Sequence, residues 1–155
     1  MMSNTTVQAP IPPAALSLGL AGLIPFCACA LSQWVQLPHF SPEQGFQTGA
    51  AYGAVILSFL GGIRWGVAVK EFENNRQSAE LAGSVLPSLV GWLSLLLSPI
   101  IGVSLLIAGF LVQALWDVLS VEKDYLPQWF GKLRMLLTLG AVLSLSSMLV
   151  HLTIS

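Results

Sequence analysis

Five stretches of the chain are almost free of charge, and each is about as long as a bilayer is thick. A hydrocarbon core about 30 Å across takes about 20 apolar residues in a helix. On that measure spans are predicted over residues 14 to 35, 45 to 69, 81 to 97, 100 to 119 and 133 to 154. No charge falls between Glu80 and Asp117, and one straight helix through that interval would be roughly 54 Å long, so the chain must turn inside it. Ser98-Pro99 is the natural place, because proline suits the first residue of a new helix. Ser41-Pro42-Glu43-Gln44 supplies an N-cap serine, a proline at the first helical position and a capping-box glutamine, so the second helix is expected to begin near Pro42. Pro25 and Pro87 lie inside spans and predict kinks. The third span is the shortest, short enough to be tilted or partly re-entrant.

Composition turns this pattern into a class. Of 155 residues 55% are hydrophobic and 8% charged, with a mean hydropathy of +0.79; a soluble domain carries roughly 25% charged residues. The fold class expected is all-α, a polytopic membrane protein built as a bundle of five transmembrane helices. Six Lys plus Arg and a net charge of -1 leave no basic surface for a phosphate backbone, which argues against a nucleic-acid partner. The N-terminal stretch lacks a positively charged region and a clear small-residue cleavage site, so its first apolar run reads as a retained helix. Residues 1 to 13, polar and proline-rich, are expected to be a loosely ordered segment before a single transmembrane domain over residues 14 to 155.

Five spans place Lys70, Arg76, Lys123, Lys132 and Arg134 on one side, while the other side carries Glu43 and His39 and no Lys or Arg. The positive-inside rule then predicts an N-in, C-out orientation. Trp34, Trp129 and Phe130 fall near predicted boundaries, as interfacial aromatics do.

The second span carries the most information. Ala50, Ala54, Ser58, Gly62 and Gly66 recur every four residues, and Gly49 and Gly53 add a GxxxG beside them. Small residues let helices approach closely in lipid, so this helix is expected to be central. The stripe reads either as packing within the bundle or as a seam for a second copy or another subunit. Arg64 lies about 200° around the helix from Gly62, on the face of Leu57, Leu60, Gly61 and Ala68. Two accounts of it are open. Long basic side chains snorkel toward headgroups, or Arg64 pairs, directly or through water, with Asp117, a carboxylate of similar expected depth in the fourth span. Arg64, Trp65 and Trp116 would then be candidate contacts for a lipid or quinone headgroup.

Other chemistry is sparse. Cys27 and Cys29, at i and i+2 on a helix, point to different faces and favour neither a disulfide nor a shared metal. His39 and His151 both fall near the outer face, but a loop histidine fits a haem site poorly. No nucleotide loop, zinc signature or serine, histidine and acid set occurs, and no cofactor or catalytic residue is expected.

The stretches GLAGLIPF (residues 19 to 26) and AYGAVILSFLGGIRWGVA (residues 51 to 68), with the later aspartate of the fourth span, resemble the membrane family known as domain of unknown function 3429. That family includes bacterial inner-membrane proteins and a eukaryotic mitochondrial transmembrane protein. The resemblance runs from about Leu16 into the fifth span, and it implies a small multi-pass protein of the bacterial inner membrane without adding a catalytic residue. The function expected is non-enzymatic: an accessory or assembly subunit of a larger membrane complex, such as a respiratory or transport complex, acting in the bilayer through other subunits or as a homo-oligomer. The alternative is a small transporter-like or lipid- or quinone-binding protein that uses the region of Arg64 and Asp117.

Overall fold

In lipid no water is available to satisfy an open backbone, so a chain this apolar must close its hydrogen bonds within helices. A computed structural model describes residues 10–35, 40–71 and 73–154 and has this form. Five helices follow one another: α1 (Pro13–Leu31), α2 (Pro42–Glu71), α3 (Asn74–Leu96), α4 (Pro99–Glu122) and α5 (Gln128–Ile154). All five are long and apolar enough to cross a membrane. The 19 residues of α1 measure about 28 Å and the 30 of α2 about 45 Å, so the ends of α2, with Glu43 and Lys70, extend past the hydrocarbon. The third span, with 23 residues in α3, is long enough to traverse the bilayer rather than re-enter it.

The helix ends follow the local chemistry. The Ser41 hydroxyl accepts the Gln44 amide N–H at 3.2 Å and the Gln44 side-chain oxygen accepts the Ser41 N–H at 2.9 Å, a reciprocal capping box that starts α2 at Pro42. The chain turns at Leu97 and Ser98, both extended, and Pro99 opens α4. Gly102 of α4 lies so close to the Ser94 carbonyl of α3 that an added Cβ would collide with backbone. At the same end of the molecule Gln33 donates to the carbonyls of Cys29 and Pro42, tying the end of α1 to the start of α2.

Helix α2 touches each of the other four, and α3, α4, α5 and α1 form an arc around it in that order. The centre is filled by Phe26, Leu57, Leu106, Phe110, Leu145 and Met148, all fully buried. Phe26 meets Tyr52 and Phe110 edge to face, with ring centroids 5.0 and 5.9 Å apart, a favoured aromatic geometry.

Three expectations need adjustment. Helix α3 begins about seven residues before the predicted position 81, and α5 about five before 133, so Glu80 lies inside a helix and Arg134 lies more than a turn from the helix start rather than at it. The stripe from Ala50 to Gly66 is not one surface: Ala50 and Ala54 are buried, Ser58 is half-buried, and Gly62 and Gly66 are exposed. A strict four-residue repeat advances about 40° beyond a full turn per step, so four steps wind it from the core to the outside. Most of the segment expected to be loosely ordered, and the loop histidine His39, lie outside the described residues.

Candidate functional site: an intramembrane charge network

The core-facing side of α2 continues through Leu57, Leu60, Gly61, Arg64 and Ala68, all buried. Helical geometry thus directs Arg64 into the bundle, and at 2% exposure it does not snorkel. An arginine there must be neutralised, because a lone charge in hydrocarbon costs at least about 2.5–3.5 kcal/mol. The neutralising group is Glu80 of α3, whose carboxylate accepts from Nη2 of Arg64 at 3.0 Å. Nη1 of Arg64 donates to the hydroxyl of Ser120 on α4, which in turn donates to the Trp116 carbonyl. The Trp116 ring covers the guanidinium, 4.4 Å from its centroid, a cation–π contact in a dry setting. Trp116 reaches that position by passing over Gly83 of α3, where a side chain would collide with the ring.

Asp117 is one residue beyond Trp116 and is also buried, at 1% exposure. Its two oxygens are used separately. Oδ2 accepts from Nε of Arg134 on α5 at 2.9 Å, and Oδ1 accepts from the Gln113 side chain one turn earlier on α4 at 3.1 Å. The direct contact anticipated between Arg64 and Asp117 is not formed: each has taken a partner from the adjacent helix. The two pairs still meet on α4, because Ser120 and Asp117 are three residues apart and share a face.

The network therefore draws one charge from each of α2, α3, α4 and α5, two basic and two acidic, summing to zero. Its geometry comes from two hairpins. Arg64 lies about seven residues before the end of α2 and Glu80 about six after the start of α3; Asp117 lies about five before the end of α4 and Arg134 about six after the start of α5. Those offsets correspond to roughly 8–10 Å of helix on either side of a short turn, so antiparallel neighbours present acid and base at one level. Charges equidistant from a hairpin turn were the signal for both pairs. Glu80 and Ser120 fall just outside the predicted spans, whereas Gln113 and Arg134 fall inside them and were not matched to Asp117, whose evident opposite charge was Arg64.

The remaining candidates are placed as follows. Trp65 is exposed and turned away from Arg64 around the helix, so it faces the surroundings of the bundle rather than the network. Gly49 admits Met148 and Cys29, and Gly53 admits Leu106 and Phe26, so this part of the small-residue set serves the core. An added Cβ at Gly62 or Gly66 would meet nothing within 4 Å. His151 packs edge to face on Trp34, with centroids 5.2 Å apart. Cys27 and Cys29 are both free thiols, one exposed and one buried.

Five apolar spans with their charges folded inward define an integral, multi-pass membrane protein of the helical-bundle class. Residues 11–150 match the family described as protein of unknown function (DUF3429), and the chain belongs to that family. It is similar to Transmembrane protein 69 of Xenopus tropicalis, 42% identical over 143 residues that cover 90% of this chain and 55% of that protein. Transmembrane protein 69 of Mus musculus is 39% identical over 145 residues, covering 92% of this chain and 58% of the relative. The chain thus spans a little over half the length of the curated relatives it matches. No solved structure matches it.

Proposed function

We propose that this chain is a non-enzymatic membrane protein that acts by contact with other membrane proteins, as an accessory or assembly subunit of a larger complex. The observation that carries the reading is the use made of three buried charges, Arg64, Asp117 and Arg134, and the half-buried Glu80. Arg64, Glu80, Asp117 and Arg134 are committed to one another as a lock between four helices, which is the work of a rigid block rather than of a relay or a solute path. The connections between α2 and α3, between α3 and α4, and between α4 and α5 are also too short to hold a catalytic domain. Gly62 and Gly66, on the outer side of the central helix, leave room for a neighbouring helix at close approach.

The exposed Lys70, Arg76, Lys123 and Lys132 support an N-in, C-out orientation. The resemblance of the sequence to bacterial inner-membrane proteins supports that membrane as the location.

Native-detergent purification of the full chain from its own membrane tests the role. A reproducible large complex, lost in Gly62→Leu/Gly66→Leu while the purified bundle keeps its unfolding midpoint, is the expected result. A chain that migrates alone, or a complex indifferent to both substitutions, overturns it.

A further inference from the structure

A groove of about 630 Å³ opens between the end of α4 and the start of α5. Its wall is apolar, with Val118 and Val121 on α4 and Met135 on α5, and Met135 is 57% exposed, so the groove runs out onto the lipid-facing surface. Its rim is charged. Glu122 and Asp124 stand on the α4 side and Lys132 on the α5 side, all exposed. An apolar wall below a rim of both signs, at the level where hydrocarbon gives way to headgroups, has the layout of a single zwitterionic lipid.

The rim charges are ordered along the membrane normal. Asp117 and Arg134 are bonded to each other and so lie at one level. Counted from that level at about 1.5 Å per residue, Lys132 stems from about 3 Å nearer the turn, Glu122 from about 7–8 Å, and Asp124 from the turn itself. The base is rooted deepest and the acids outermost. A phosphoethanolamine headgroup is the complement of that order, with its phosphate beside the glycerol and its primary ammonium beyond.

The two carboxylates also stand where a helix ordinarily places cations. Glu122 is the last residue of α4 and Asp124 follows the C-cap, at the end where the macrodipole disfavours negative charge. Asp124 holds φ 60°, a left-handed conformation in which glycine is the usual helix-ending residue. Lys123, between them, is not among the residues that line the groove. An ammonium held by Glu122 and Asp124 answers both carboxylates and the negative end of α4 together.

From these observations we infer that the groove binds one phospholipid with a primary-amine headgroup. The phosphate accepts from Lys132, the ammonium donates to Glu122 and Asp124, and an acyl chain runs along Val118 and Met135. Two acids and one base leave the rim net negative, which opposes an anionic headgroup. A choline headgroup keeps the charge but has no N–H to donate. The site lies apart from Gly62 and Gly66, and its test reads lipid rather than assembly.

The full chain, purified in detergent and stripped of lipid, is followed by native mass spectrometry as dioleoyl phosphatidylethanolamine, phosphatidylcholine or phosphatidylglycerol is added. The expected result is saturable retention of one phosphatidylethanolamine, about 10-fold tighter than either of the others, as the gain of a charge-assisted hydrogen bond implies. Glu122→Gln/Asp124→Asn should weaken phosphatidylethanolamine about 10-fold and leave phosphatidylglycerol no weaker, and Lys132→Gln should weaken phosphatidylethanolamine by a similar factor. These substitutions touch exposed side chains, and the acid variant should unfold no more easily than the parent. The comparison of the three lipids on the parent chain requires no substitution. Absence of saturable binding, equal retention of the three lipids, tightest retention of phosphatidylglycerol, or phosphatidylethanolamine binding indifferent to both variants overturns the inference.

Discussion

Removing Arg134 tests the charge lock most directly. The substitution Arg134→Leu leaves the Asp117 carboxylate buried with a single hydrogen bond from Gln113. At a separation of 2.9 Å the Coulomb attraction between Asp117 and Arg134 is about 6 kcal/mol for an effective dielectric near 20, much of it offset by the desolvation of both groups. Taking away one partner exposes that desolvation uncompensated, so the single substitution should cost about 3–5 kcal/mol. Asp117→Asn alone keeps an amide that Gln113 can still meet but leaves Arg134 buried and charged, and should cost a similar amount. The double variant Asp117→Asn/Arg134→Leu leaves no charge unpaired and should recover part of the loss. Equilibrium unfolding of the purified chain by SDS in mixed micelles supplies the four corners of the cycle, with an expected coupling of about 1–3 kcal/mol, the upper part of the range for residues in contact. The corresponding cycle between Arg64 and Asp117, which share no direct bond, should give a clearly smaller coupling. Additive effects within about 0.5 kcal/mol at Asp117 and Arg134 would refute the pairing.

Other sites give sharper or simpler readouts. Arg64→Lys keeps the charge but loses the planar fork that reaches Glu80 and Ser120 under the Trp116 ring, and should lower unfolding stability by about 1–2 kcal/mol in the same titration. Gly102→Ala must drive α4 away from the Ser94 carbonyl and should cost about 1–3 kcal/mol, whereas Gly62→Ala, facing open space, should stay within about 0.5 kcal/mol. Ser41→Ala removes one half of the capping box and should destabilise the start of α2 by about 1 kcal/mol, visible as faster amide exchange over residues 43 to 46. For orientation, single cysteines at Lys123 and at Glu43, each in a Cys27→Ser/Cys29→Ala background, should differ in labelling of intact cells by an impermeant maleimide. Glu43→Cys should react and Lys123→Cys should not, and the reverse pattern would invert the topology.

Much of the architecture was legible from one property, the free energy of moving side chains out of water. That property depends on local composition alone, so the five spans, the turn at Ser98-Pro99, the start at Pro42 and the centrality of α2 could all be read from the order of residues. Helical periodicity also groups Arg64 with Leu57, Leu60 and Ala68, but that this face points into the bundle was decided by the packing. What the sequence left open was which group answers a buried charge. Arg64 had Asp117 as its evident opposite, yet Glu80 stood just before the predicted third span and Arg134 at the very start of the fifth, and α3 and α5 extend past both because pairing removes the cost of the charge. Which acid meets which base is a matter of helix adjacency and depth, and those depend on how the α2–α3 and α4–α5 hairpins pack. The fate of the small-residue stripe was likewise settled by neighbours: the same four-residue repeat is core at Ala50 and outer surface at Gly66 because it advances about 40° around α2 at each step while the other helices cover one side of it. A cavity between α1, α2 and α5 is tertiary throughout. Gly22 of α1 and Thr138 of α5 are more than a hundred residues apart in the chain, and only the packing of α1 against α5 brings them to one cavity.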